Sequence, residues 1–226
     1  TTITDAQITQ IEKAAEQLKN GMDETPYYVV KIYILQRLSV SDKYKAIAYG
    51  KLNLQKLENS KSSNAEPLKQ GFLLRLRIPY RESDKLQEGF EFFTEKLNEY
   101  KKTNDSIGLS NCYYVLSGFY RTIGLYEPAI YNMKKSVSYI DTLNEKQIRF
   151  FNMVFDYGKA RWINNTSIIN NYYLQNGDYE KAIINGKIVL KVAMHFYNTG
   201  GYGDTAAALR TTSSARHLVQ AYLFSN

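Results

Sequence analysis

Apolar residues return every third or fourth position along almost the whole of this chain. That spacing gathers them on one side of an α-helix and does not suit the alternating faces of a strand. In the first segment Ile8, Ile11, Ala15 and Leu18 form one stripe, Thr4 and Gln7 have the spacing of a capping box, and Gly21 is a suitable stop. Thr25-Pro26 then opens a second helix, with the proline in a first turn where its missing N–H does no harm. SDKYKAIAYGKLNLQKLEN supplies the partner helix, and a polar break at 60–66 separates this pair from the next. PLKQGFLLRLRI and DKLQEGFEFFTEKLNEYKK make the second pair. The alternation in LLRLRI taken alone would suit a strand, but it lies between two helical periods and reads as helix. Residues 106–123 and 127–142 make the third pair, joined at Gly124, with Pro128 at a helix start. The stretch 145–176 is too long for an ordinary helix, which predicts a bend or an extra short helix inside it. A helix over about 179–197, a GGYGD loop and a last helix complete the chain. The predicted fold class is all-α.

Two phrases within this pattern are nearly the same. SGFYRTIGLYEPAI at 117–130 and NNYYLQNGDYEKAI at 170–183 match at six of fourteen positions: Tyr120 with Tyr173, Gly124 with Gly177, Tyr126 with Tyr179, Glu127 with Glu180, Ala129 with Ala182, and Ile130 with Ile183. In each phrase a glycine turn lets two helices approach, a tyrosine fills the space between them, and an alanine nine residues after it leaves room for the first helix. Weaker copies put further turns near 42, 84 and 226: DKYKAIAYGKLNL, DKLQEGFEFF with Gly89 in the small position, and ARHLVQAYLFSN through Tyr222 and Leu223. Helix pairs that cannot bury their apolar faces alone stack into an α-solenoid.

This arrangement of Tyr, Gly, Tyr and Ala resembles the tetratricopeptide repeat. The turns are 42, 40, 53 and 49 residues apart, longer than the family's usual repeat of about 34, and the family's Trp and terminal Pro are absent. The long spacing is similar to the extended-helix repeats of bacterial regulators, including those ahead of sensor histidine kinases. The resemblance implies a right-handed α–α superhelix over 1–226 as a single domain, with pairs at 5–59, 66–102, 106–142, 145–197 and an incomplete 205–226. It also implies a concave groove lined by the first helix of each pair. Carried over by position, the peptide-binding set is Tyr33 and Gln36; Arg75 and Arg81; Asn111, Tyr114 and Arg121; Asn164, Ser167, Asn171 and Gln175; and Arg216, His217 and Gln220. Glu82 is the one acid this register places among them. Arginine pairs bidentately with carboxylates and asparagine bonds peptide backbone, so the set suits an extended, acidic or carboxylate-ended peptide. The Lys-rich clamp of the family's chaperone-tail binders is not reproduced, since Tyr114, Val115 and Gly118 stand where it needs Lys and Asn.

Composition changes this picture little. Lys and Arg number 29 against 22 Asp and Glu, a net charge of +7, and they are scattered with no long basic run. That distribution reads as solvated surface more than as a nucleic-acid stripe. The 20 tyrosines are the unusual feature; an amphipathic ring can fill the space between helices while its hydroxyl reaches the edge. Cys112 is the single cysteine, so no intrachain disulfide or multi-cysteine metal site can form, and its apolar setting in NCYYVL suits a buried position. His195 and His217 lack the spacing of metal ligands. Gly201, Gly203 and Ala206 match a dinucleotide-loop pattern, yet a helical stripe precedes them and no acid follows Asp204, which leaves an interhelical loop. The glycosylation-like triplets at Asn164 and Asn165 are short enough to arise by chance. No constellation for catalysis stands out, and neither a cofactor nor a metal is expected. No apolar run approaches the roughly 18 residues of a membrane span.

The function expected from these residues is non-enzymatic: a protein- or peptide-binding module, the sensory or regulatory part of a larger bacterial signalling protein. The resemblance favours a periplasmic sensor region over a cytoplasmic one. Because the fifth copy reaches its turn only at Asn226, a downstream domain is expected as well. A helical-repeat protein that binds RNA is the competing reading, favoured by net charge and tyrosine content but lacking a recurring base-reading position.

Overall fold

The computed structural model describes residues 3–19, 24–60, 62, 64–140, 158–198 and 204–225. Among them are ten α-helices and no strand: α1 Asp5–Glu16, α2 Thr25–Ser41, α3 Lys43–Glu58, α4 Ala65–Arg81, α5 Leu86–Thr103, α6 Ser106–Thr122, α7 Tyr126–Ile140, α8 Gly158–Asn176, α9 Tyr179–Asn198 and α10 Asp204–Phe224. A single 3-10 turn, Gln17–Lys19, follows α1. The described residues form two compact units that part between 96 and 97, inside α5. Within each unit helices pack against neighbours in sequence order, an all-α helical repeat. Of the stretch 145–176, for which a bend or an extra short helix is predicted, 158–176 is one continuous helix and 145–157 lies outside the described residues, as do Gly21 and the glycines of the GGYGD loop.

In the first unit α1 packs on α2, α2 on α3 and α4, and α3 on α4. The capping box of α1 is present: Gln7 N donates to Thr4 Oγ1 at 3.3 Å and Thr4 N to Gln7 Oε1 at 3.0 Å. LLRLRI is helical, as its surroundings require; Leu73 and Leu76 point into the core while Arg75 and Arg77 are half-exposed. Tyr28 meets Phe72 edge to face at 6.5 Å, and Leu35, Leu38, Leu68 and Tyr80 are buried on the same helices. A Cβ added at Gly50 of α3 would lie 2.5 Å from Leu76 Cδ2, so this glycine sets how closely α3 and α4 approach.

In the second unit α6 packs on α7, α7 on α8, and α8 on α9, while α10 lies against both α8 and α9. The repeated glycine has a purely conformational job. Gly124 and Gly177 have φ of 77° and 80°, a left-handed backbone that side chains rarely adopt, yet an added Cβ at either would meet nothing within 4 Å. The close approach suggested by the sequence is therefore not what these two glycines provide; they end one helix and turn the chain. Leu125 N donates to Tyr120 O at 3.0 Å and Asp178 N to Tyr173 O at 2.9 Å, the bond that closes a Schellman cap. Asn104 makes the same turn between α5 and α6 at φ 52°, with Asp105 N donating to Tyr100 O at 3.1 Å. The approach of helices depends instead on Ala129 and Ala182, both wholly buried among Ile130, Met133, Ile169, Tyr172 and Tyr173. Tyr120 packs against the same cluster from its edge. Cys112 is buried in α6.

Candidate functional site

Assigning residues to helices changes the meaning of the net charge. The first helices of the pairs are α2, α4, α6, α8 and α10, and they hold eleven basic residues: Lys31, Arg37, Lys69, Arg75, Arg77, Arg81, Arg121, Lys159, Arg161, Arg210 and Arg216. Against these stand two acids, Glu66 and Asp204, each in a first turn where the helix dipole favours a negative charge. The other 18 of the 29 basic residues share the rest of the chain with 20 of the 22 acidic ones. The second helices α3, α5, α7 and α9 hold 12 basic residues and seven acidic ones, so what marks the first helices is their shortage of acids, and α2, α6 and α8 have no carboxylate at all.

The residues carried over from the resemblance occupy different environments. In the first unit Tyr33 and Gln36 are exposed on α2, with the Arg37 guanidinium 5.5 Å from the Tyr33 ring. Arg75 and Arg81 are half-buried on α4, and Arg81 Nη2 pairs with Glu82 at 2.7 Å. In the second unit Tyr114 is half-buried and Arg121 exposed on α6. Asn164, Ser167 and Asn171 lie half-exposed on α8, with Gln175 exposed at its end. On α10 Arg216 is exposed and Gln220 half-exposed. Two expectations need correction. Asn111 is buried at 1% exposure, because the Arg161 side chain covers it and donates to its Oδ1. His217 is also buried, and its Nδ1 has no hydrogen-bond partner. Burial foremost, and then the Arg216 charge, hold the His217 imidazolium below the usual histidine range.

Behind the half-exposed face of α6 and α8 runs a buried polar network that the sequence pattern did not single out. Arg161 joins the two helices, bonded to Asn111 and with its guanidinium 5.4 Å from the Tyr114 ring. Ser110 Oγ donates to Ser136 O at 3.0 Å, and Asn165 Nδ2 donates to Ser136 Oγ at 3.2 Å, so one serine of α7 is bonded to both first helices. Asn185 Nδ2 of α9 donates to Thr166 O at 3.0 Å and to Asn170 Oδ1 at 3.3 Å on α8. Ser117 Oγ reaches Ala129 O at 2.7 Å. The available signal was Ser, Asn and Arg recurring at helical spacing inside otherwise apolar stripes.

This arrangement can hold amides and a guanidinium in fixed directions, which suits recognition. Among the described residues no group of three His, Cys, Asp or Glu side chains is placed to hold a metal ion. No described helix is long and apolar enough to cross a membrane. No known protein family matches the sequence, and no curated protein or solved structure matches it either.

Proposed function

We propose that this chain is a non-enzymatic binding module that receives a protein or an extended peptide on its first helices, as the sensory or regulatory part of a larger bacterial signalling protein. The observation that carries this reading is the make-up of α6 and α8, which hold half-exposed amides with Arg121 and Arg161 and no carboxylate. Arginines and half-exposed amides lie on α6, α8 and α10, while carboxylates such as Glu127, Asp178 and Glu180 lie at the turns and on the first residues of α7 and α9. A surface of that kind can pair with peptide carbonyls and N–H groups through carboxamides and with acidic groups through guanidinium. The tetratricopeptide-like pairing of Tyr, Gly and Ala supports the same class of job and the bacterial placement.

The test is pull-down from the native host followed by calorimetry on the isolated partner. Arg121→Ala on α6 should weaken binding by about 1.5–3 kcal/mol, the range for a hydrogen bond to a charged group. Lys191→Ala on α9, also exposed, should change it little. Equal losses would mean that the partner uses the second helices, and the proposal would fall.

A further inference from the structure

We propose that the exposed faces of α7 and α9 form a docking surface for a bilayer that carries anionic phospholipid. Both helices pack on α8. Their exposed rows meet there: the ammonium groups of Lys134 on α7 and Lys181 on α9 lie 5.4 and 5.8 Å from the centre of one ring, that of Tyr173 on α8. Continuing the register of the two matched phrases makes Tyr131 equivalent to Ile184 and Lys134 to Lys187. All four are exposed, so each helix presents an apolar and a basic side chain at the same two positions.

The make-up of these faces selects the occupant. Lys134, Lys135, Lys181, Lys187 and Lys191 are exposed, against two acids, Glu127 and Glu180, each in a first turn. Among the described residues only Lys181 of the five makes an ion pair, with Asp178 at 3.4 Å. Between the lysines stand Tyr131, Ile184, Ile188 and Met194, which are 49–63% exposed. Ile184 and Ile188 are one turn apart on α9, with Lys181, Lys187 and Lys191 around them. Aliphatic tips ringed by ammonium groups match the interface of an anionic bilayer, where the acyl boundary takes the tips and the headgroups take the charges. A lysine stem can lie along apolar surface while its head stays among the headgroups. A nucleic acid would offer the two isoleucines no apolar counterpart, since its bases stack on aromatic rings. Neither helix contains arginine, the side chain that grips a single carboxylate or phosphate with two bonds; lysine, a point charge, suits a diffuse negative potential. The surface lies on the second helices, so it does not depend on the first-helix binding role proposed above.

The test is flotation of the whole chain with vesicles of equal parts phosphatidylglycerol and phosphatidylcholine, beside vesicles of phosphatidylcholine alone. Binding should require the anionic lipid and weaken as salt rises from about 50 to 500 mM. Lys134→Glu with Lys187→Glu should lower the partition coefficient about tenfold or more, since one lysine near an anionic surface contributes about fivefold. Arg37→Glu with Lys69→Glu, on α2 and α4, changes the net charge by the same amount and should keep the coefficient within about threefold. Ile184→Ser with Ile188→Ser should lower it about fivefold or more through lost apolar insertion. The four positions changed on α7 and α9 are exposed, so those variants should melt close to the parent protein by circular dichroism. No binding to the anionic vesicles, equal losses in the two charge-reversed pairs, or an isoleucine pair that binds like the parent would overturn the proposal. Tight binding of polyglutamate or oligouridylate that the α7 and α9 lysine pair abolishes and the isoleucine pair leaves intact would assign the face to a soluble polyanion and overturn it too.

Discussion

Where α2, α3 and α4 meet, the buried side chains include Tyr28, Leu35, Leu38, Leu54, Phe72 and Leu76, while the buried Ser39, Asn53 and Gln70 bond to their own helices. Where α6, α7 and α8 meet, Ser110, Asn111, Ser117, Ser136, Arg161 and Asn165 are buried just as deeply, and the helices touch through hydrogen bonds. The first kind of junction is non-directional, and its strength follows the area removed from water. The second contributes less free energy per group but fixes register and side-chain direction, because a buried donor or acceptor that slips loses its partner. The lesson is that the unit with the polar interior is the one whose packing fixes side-chain direction, and there the proposed ligand wall lies. The first unit has its own exception. Lys31, buried at 4% exposure, pairs with Glu12 of α1 at 2.8 Å and lies 4.9 Å from the Tyr27 ring. Tyr49 donates to the same Glu12 oxygen at 2.9 Å.

Three experiments would break or sharpen this contrast. The largest effect is expected from Phe72→Ala, which removes a fully buried ring from the apolar junction; urea denaturation should show a loss of about 3–5 kcal/mol. A loss no larger than that of a polar substitution in the second unit would erase the distinction. Next comes Ser136→Ala. It removes a hydroxyl that accepts from Asn165 and lies 3.2 Å from Ser110 Oγ, so the buried Asn165 amide loses that acceptor at a cost of about 1–3 kcal/mol. Amide exchange should quicken across α6 and α8; unchanged protection there would show that the network does not fix the register.

The smallest effect concerns pH. Burial alone would raise the Glu12 carboxyl, but hydrogen bonds from Lys31 and Tyr49 and the Lys31 charge outweigh it and hold the group below its ordinary value of 4.5. A depressed carboxylate contributes stability that is fully present above its unfolded value and is lost as pH falls through the folded one. Parent protein should therefore exceed Glu12→Gln in stability at neutral pH, and the difference should shrink below about pH 4.5. A gap that stays constant down to pH 3 would show that the carboxylate charge contributes nothing to the docking of α1.

Much of the fold was legible in the sequence because it depends on local chemistry. The Thr4–Gln7 box, Pro26 in a first turn and the left-handed Gly124 and Gly177 act over only a few residues, and a 3.6-residue stripe defines a helix whatever it packs against. The paired Ala129 and Ala182 were readable for a related reason, since the same small residue recurs nine positions after the same tyrosine. The candidate site was less legible. Sequence register placed Asn111 and His217 with the exposed groups, but burial depends on which neighbouring helix covers a position, and α8 brings Arg161 over Asn111 from fifty residues away. Spacing likewise gave no sign that Ser136 would be bonded to both Ser110 and Asn165, because hydrogen-bond partners are chosen by side-chain direction across an interface. The chain by itself determined where the helices begin and turn. Tertiary packing decided which polar groups are sealed between helices, and only the assignment of residues to first and second helices showed that carboxylates are scarce on the first.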